Sequence, residues 1–297
     1  MISIIICSIS PEFLGQVKEN ISDTIGLEYE LLVWDNRQAN IGLCEVYNRM
    51  AGQAKFEFIC FLHEDIYFER TGWGIDLISL FNSRNELGVI GVAGSKYKSA
   101  AYSGWYTGIG DFDCADLVHI ERGKVRHIYL KPDIDHNTHY EDVVCIDGVF
   151  ICCRKEIWQK IRFNDNDLKG FHYYDLDFSL RASQICSVSV LYNLKLVHVT
   201  NGGDFGDKWV VTTFHFHKYF LNRLPVILPD IKVSEKAEFK IKKIWLDVLK
   251  SQHISFKNKL RWIFNENLYS NFKLLYSIFK FLFYKPLGLR YIHKRGT

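Results

Sequence analysis

Apolar positions along the chain alternate between two periods. Residues 2–9, ISIIICSI, form an unbroken β-branched run ended by Ser10 and Pro11, as a strand buried on both faces would be. Residues 12–26 carry an amphipathic helical pattern. YELLVWD and FEFICFLHED predict two more strands, ending at Asp35-Asn36 and at His63-Glu64-Asp65. Between them Leu43, Val46, Tyr47 and Met50 keep helical spacing. Residues 75–82 predict a short helix and GVIGVAG (88–94) a fourth strand. Residues 95–142, with many Gly, Tyr, Trp and Asp, read as an irregular excursion. VVCIDGVFICCRKEIW then predicts a strand, a turn at Asp147-Gly148, a strand and a helix. A helical stretch FHYYDLDFSLRASQI follows, and SVSVLYNLKLVHVT predicts one strand before a turn at Gly202-Gly203. From Lys236 the spacing is helical up to Pro286.

Strands alternating with helices predict an α/β fold, a mostly parallel sheet with helices on both faces. Ligands of such sheets bind outside the carboxyl ends of the strands. Ser8, Asp35, Asn36, Glu64 and Asp65 collect there.

Composition narrows the class. Of 297 residues, 48% are hydrophobic and 24% charged, a soluble globular balance that excludes a disordered chain. Eight cysteines show no CxxC pair and no metal spacing, so they read as small hydrophobes of a reduced compartment. Cys152 and Cys153 should face opposite sides of one strand. The N-terminus lacks a basic flank, and no apolar run reaches the length of a membrane span. The expectation is a cytoplasmic protein, or one peripheral on the inner face of a membrane. The net charge of +3 hides an asymmetry: residues 1–230 carry −8 and residues 231–297 carry +11. We therefore expect a catalytic or binding domain over 1–230 and a basic helical region over 231–297.

Three groups of residues carry candidate chemistry. His63-Glu64-Asp65 ends an apolar strand, where a carboxylate is poorly solvated unless a cation meets it. A hard divalent cation, which brings phosphates with it, fits that place; a surface turn with ordinary acids is the alternative. Tyr174-Asp175-Leu176-Asp177 opens a helix, whose free N–H groups hold a carboxylate ionised. Asp175 there could take a proton from an attacking hydroxyl. Asp177 could instead pair with Arg181 at i+4. His198 ends a strand, either as a satisfied structural residue or as a ligand at the edge that holds Asp65. Asn40, with Asn48 eight residues on, could contact a nucleotide or cap the following helix.

Taken in order, ISIIICSIS, ELLVWDN, NIGLCEVYN, FLHED, CIDGVFICCRKEIW, GFHYYDLDFSLRA and VHVTNGG resemble the GT-A fold of glycosyltransferase family 2 over about residues 1–210. The resemblance implies a nucleotide-diphosphate sugar as donor, a glycan or lipid-linked acceptor, Mn²⁺ or Mg²⁺ as cofactor, and an inverting single displacement. It gives the base to Asp175 and the metal to Asp65 and His198. Ser8, Asp35, Asn36, Asn40, His63, Glu64, Asp147 and Gly148 would contact the nucleotide sugar, and Trp209 and Asp177 would lie on the acceptor side. The first acid of the family's Asp-X-Asp motif is replaced by His63, which favours a donor-sugar or ribose contact for that residue. A non-catalytic sugar-nucleotide binder or membrane-associated scaffold is the alternative that this departure favours.

The basic tail lies outside the resemblance. Across residues 236–284, Lys273, Ser277 and Lys280 are expected on one helical face and Phe272, Leu275, Phe279 and Leu282 on another. That pattern fits an amphipathic helix on an anionic membrane, or helices packed on the main domain or a second subunit. Nucleic acid is disfavoured, since the aromatics follow helical stripes and no recognition motif appears.

Overall fold

A computed structural model describes residues 1–131, 139–200, 205–220, 222–234 and 236–284. Gly202, Gly203 and Pro286, named above, lie outside these. In chain order the first half contains β1 (Ile2–Ser8), α1 (Pro11–Thr24), β2 (Tyr29–Asp35), α2 (Leu43–Ala51), β3 (Phe58–Leu62), β4 (Ile66–Phe68), α3 (Trp73–Ser83), β5 (Leu87–Gly91), β6 (Ala93–Ser95), β7 (Tyr97–Lys98), β8 (Asp113–Glu121) and β9 (Lys124–Leu130). The second half contains β10 (Tyr140–Val143), β11 (Cys145–Ile146), β12 (Phe150–Arg154), α4 (Lys155–Ile161), α5 (Tyr174–Ala182), β13 (Ser187–Leu191), β14 (Leu196–Thr200), α6 (Asp207–Phe220), β15 (Val226–Ile227), α7 (Ala237–Leu249), α8 (Phe256–Asn265) and α9 (Leu275–Phe283).

The main sheet has the order β10-β13-β5-β12-β3-β1-β2. The strands β2, β1, β3, β5 and β13 share one direction, and β12 and β10 run against them. Alternation along the strands feeds two cores. Ile2, Ile4 and Ile6 pack with Val17 and Ile21 of α1 and Leu77 of α3, while Ile5 packs with Val46 of α2 and Phe178 of α5. Cys152 and Cys153 divide between the two cores in the same way, as the period of two requires. The expected α/β architecture with helices on both faces is therefore the observed one.

A second sheet, β11-β6-β8-β14-β4 with β9 paired to β8, corrects two expectations. Residues 95–142 are not wholly irregular: β8 and β9 form a hairpin whose turn, Arg122-Gly123, takes positive φ at both positions (50° and 76°). That geometry matches the twist of paired strands. The single strand expected over 187–200 is two strands in different sheets. The chain swings between them through Asn193 and Lys195, both at positive φ.

The C-terminal helices share the larger core. Trp209 of α6 stacks on Trp245 of α7, with centroids 5.1 Å apart and planes 6° from parallel, and lies 6.0 Å from Trp262 of α8. Trp245 Nε1 donates to the Tyr106 carbonyl (3.0 Å), and Asp207 accepts from Ser255 N and Asn258 Nδ2 at the start of α8. The charge division near residue 230 is thus crossed by continuous apolar packing. Phe272, Leu275 and Phe279 share an exposed face, whereas Ser277, expected beside Lys273 and Lys280, is buried with Leu274, Ile278 and Phe281. Phe272–Leu274 is a 3₁₀ turn that leads into α9. Among the described residues no helix is long and apolar enough to cross a membrane.

Candidate functional site

Strand pairing brings the histidines to Asp65. Antiparallel β14 and β4 set His198 opposite Ile66, and Val199 N donates to the Asp65 carbonyl (2.8 Å). His198 Nε2 consequently lies 3.3 Å from Asp65 Oδ1, while His63 Nδ1 lies 3.8 Å from the same oxygen. One ligand atom each from His63, Asp65 and His198 falls within 4.8 Å of the others. Two imidazoles and one carboxylate, half-buried at a sheet edge, suit a borderline cation such as Mn²⁺ better than Mg²⁺, which prefers oxygen donors throughout. His63, read from sequence as a donor-sugar or ribose contact, thus stands among the possible ligands. Burial would raise the Asp65 carboxyl, but the hydrogen bond and charge of His198, with the charge of His63, outweigh it and hold it below the usual range. Burial and the neighbouring His198 push His63 down, which favours the neutral, ligating imidazole.

A second group adjoins the first. The chain after β11 turns at Asp147, whose Oδ1 accepts from Val149 N (2.9 Å) and whose Oδ2 accepts from Trp105 Nε1 (2.7 Å). Tyr174 donates to the Gly148 carbonyl (3.0 Å) and lies 2.9 Å from His63 Nε2. Gly148 is required there, because a Cβ would come within 2.1 Å of the Tyr174 hydroxyl oxygen. Asp175 follows at the start of α5. Burial, then the like charge of Asp147, push its carboxyl up to about 7, against the pull of the Leu176, Asp175 and Gly148 amides. A carboxyl poised near neutrality can exchange a proton with a substrate hydroxyl.

Other expected residues have different partners. Glu64 accepts from Ser8 Oγ (2.6 Å) and from the amides of Ile9 and Ser10, so Ser8 and Glu64 hold the turn after β1 together. Asn36 is buried and closes its own loop, bonding both the amide and the carbonyl of Ile41. Asn40 is exposed at φ 44° in that loop. Asp35 is exposed and paired with Arg37, which holds its carboxyl down at about 2. Asn48 neither caps a helix nor faces the site; its amide ties α2 to Phe163 and Asp165.

The two acceptor-side candidates are both engaged in packing. Trp209 is enclosed by Tyr173, Phe205, Trp245 and Trp262, and only 6% of its surface reaches solvent. Asp177 is buried and paired with Arg181, which also donates to the Ile161 and Arg162 carbonyls. Arg181 borders a polar cleft of about 360 Å³ that includes Asn48, Asp165 and Tyr219 and shares no residue with the His63–Asp65–His198 group.

Sequence reasoning missed His119, Trp105 and the hydroxyl of Tyr174. Parallel pairing of β8 with β14 sets His119 beside His198, with ring centroids 5.2 Å apart. The signal for His119 was present only as a polar residue within an apolar alternation, in a segment whose strands were not recognised.

No curated protein matches the chain. Similar solved structures include the crystal structure of GalNAc-T7 with UDP, GalNAc and Mn²⁺, at 8% identity and a TM-score of 0.48, covering 67% of this chain and 44% of that one. The crystal structure of S. aureus TarS is similar at 12% identity and a TM-score of 0.43, covering 84% of this chain and 43% of that one. The chain therefore spans less than half the length of either. A family model described as "Glycosyltransferase like family" matches residues 3–219, from β1 through nearly the whole of α6 and across every residue of the two adjoining groups. The chain belongs to that glycosyltransferase-like family.

Proposed function

We propose that the protein transfers a sugar from a nucleotide-diphosphate donor to a hydroxyl of a glycan or lipid-linked acceptor, with inversion at the anomeric carbon. The observation that carries this reading is the geometry that joins the start of α5, where Asp175 lies, through Tyr174 and His63 to the His63–Asp65–His198 group, with burial and Asp147 pushing the Asp175 carboxyl up. Asp65, His198 and His63 would hold a divalent cation, Mn²⁺ in preference to Mg²⁺. Bound there, such a cation would supply charge neutralisation to the diphosphate leaving group.

The acceptor oxygen attacks the anomeric carbon as the bond from that carbon to the diphosphate oxygen breaks. The hydroxyl proton passes to an Asp175 carboxylate oxygen. Asp147 raises the basicity of Asp175 and, held by Trp105 and Val149, would accept from a sugar hydroxyl. Asp35, exposed at the end of β2 beside the end of β1, or Asn36 after it, is the candidate for the nucleobase; the Asp35 carboxylate keeps acceptor sites beyond those that pair with Arg37.

The test is a panel of nucleotide sugars with and without Mn²⁺, read by thermal shift and by donor consumption. A donor present at 100 times its dissociation constant should stabilise the protein by about 2.7 kcal/mol. Asp175→Asn should keep donor binding and lose about 10²–10⁴-fold in transfer, whereas Asp65→Ala should weaken Mn²⁺-dependent donor binding itself. Near-full turnover by Asp175→Asn with the true acceptor would remove the base assignment.

A further inference from the structure

We propose that the outward face of α8 and α9 docks on an anionic lipid bilayer, lying among the headgroups without crossing. This goes beyond the transfer reaction and does not depend on it. Phe272, Leu275, Tyr276, Phe279 and Phe283 follow one helical stripe, and each has more than half its surface exposed, up to 76% at Phe272. Phe256 at the start of α8 extends the stripe, with its ring 6.4 Å from Phe283, which in turn lies 5.1 Å from Phe279. The opposite side of α9 is buried through Leu274, Ile278 and Phe281, so the outward residues are not needed to hold the helix on the protein. An apolar surface of this extent on a folded chain marks an interaction site.

Charge selects the occupant. Residues 251–284 contain five cations against one acid, Glu266; Lys259 is buried over the Phe281 ring, which leaves Lys257, Arg261, Lys273 and Lys280 to face outward. Glu266 is withdrawn, with 8% of its side chain exposed and Lys242 beside it at 3.7 Å. Lys280 Nζ lies 4.2 Å from the Tyr276 ring centroid and Lys273 Nζ 5.9 Å from that of Phe272, so cationic heads are interleaved with the aromatic stripe. Apolar rings that insert and long cations that reach back to headgroups are what an interfacial helix presents to anionic lipid. A second copy is a poor occupant, because a two-fold contact would bring these cations face to face. Protein partners are also disfavoured, since the centres of protein interfaces are depleted in lysine.

The test is flotation of the full chain with vesicles of phosphatidylcholine alone and of phosphatidylcholine with phosphatidylglycerol, at low and high salt. Sedimentation velocity without lipid reads the oligomeric state. Flotation is expected with phosphatidylglycerol and should weaken with salt. The Phe272→Ser/Phe279→Ser pair should lower partitioning more than about tenfold. Lys273→Glu/Lys280→Glu should abolish the preference for the anionic vesicle while leaving the thermal midpoint unchanged, which covers the case in which the phenylalanine pair perturbs folding. Absence of flotation would overturn the proposal, as would equal flotation of the wild type and both variants. A wild-type dimer dispersed by the phenylalanine pair, without vesicle binding, would assign the face to self-association instead.

Discussion

The Tyr174 hydroxyl and His63 Nε2 lie 2.9 Å apart, joining the helix that carries Asp175 to the strand end that carries Asp65. A hydroxyl has one proton, and Tyr174 gives it to the Gly148 carbonyl. It therefore accepts from His63 Nε2–H, which leaves the Nδ1 lone pair on the side of Asp65. Tautomer control of this kind is how an outer residue tunes a metal ligand.

Tyr174→Phe should consequently weaken Mn²⁺ binding by about 10–100-fold, measured by calorimetric titration. It should also cost about 1–3 kcal/mol of stability, because a buried carbonyl loses its donor. Unchanged Mn²⁺ affinity would separate His63 from the ligand set.

Asp175 makes stability depend on pH in the metal-free protein. Unfolded, its carboxyl titrates near about 4; folded, burial and Asp147 raise it to about 7. Below the lower value both states hold the proton. Between the two values the unfolded chain loses it and the folded chain keeps it, so stability falls as pH rises and levels off above about 7. Asp175→Asn removes this dependence, so the variant should gain on the wild type from pH 4 to pH 8 in thermal unfolding. A constant difference between the two proteins would contradict the raised carboxyl.

Gly148→Ala should disable the site while sparing the rest of the fold. The new Cβ would sit 2.1 Å from the Tyr174 hydroxyl oxygen and 2.5 Å from the ring carbon that bears it, and the ring cannot retreat because Tyr47 and Phe163 flank it. Displacing Tyr174 should release His63. The expected result is lost transfer with weakened Mn²⁺ binding, checked by the same titration.

Trp209→Ala should act on stability and leave donor recognition intact in the folded fraction. Its ring joins α6 to α7 and α8, and removal of a buried tryptophan costs about 3–5 kcal/mol. Denaturant unfolding measures this. A selective rise in acceptor KM at unchanged stability would instead return Trp209 to the acceptor side.

The sequence by itself determined the elements whose burial repeats locally. The run ISIIICSI, the opposed Cys152 and Cys153, the pairing of Asp177 with Arg181 and the turn at Asp147-Gly148 all follow from periods of two or 3.6 and from neighbours a few residues away. Only the tertiary structure decided what those elements meet. Strand register brought His198 to Asp65 and His119 to His198, across gaps in sequence that no local pattern spans. The swing at Asn193 and Lys195 divided one apolar run between two sheets. Trp209 became a packing centre because α7 and α8 fold back onto α6, and Ser277 was buried because α9 packs against the fold through Leu274, Ile278 and Phe281. Periodicity states that a residue is buried or exposed along its own element; which distant group fills the space beside it is fixed only when the register of the whole fold is closed.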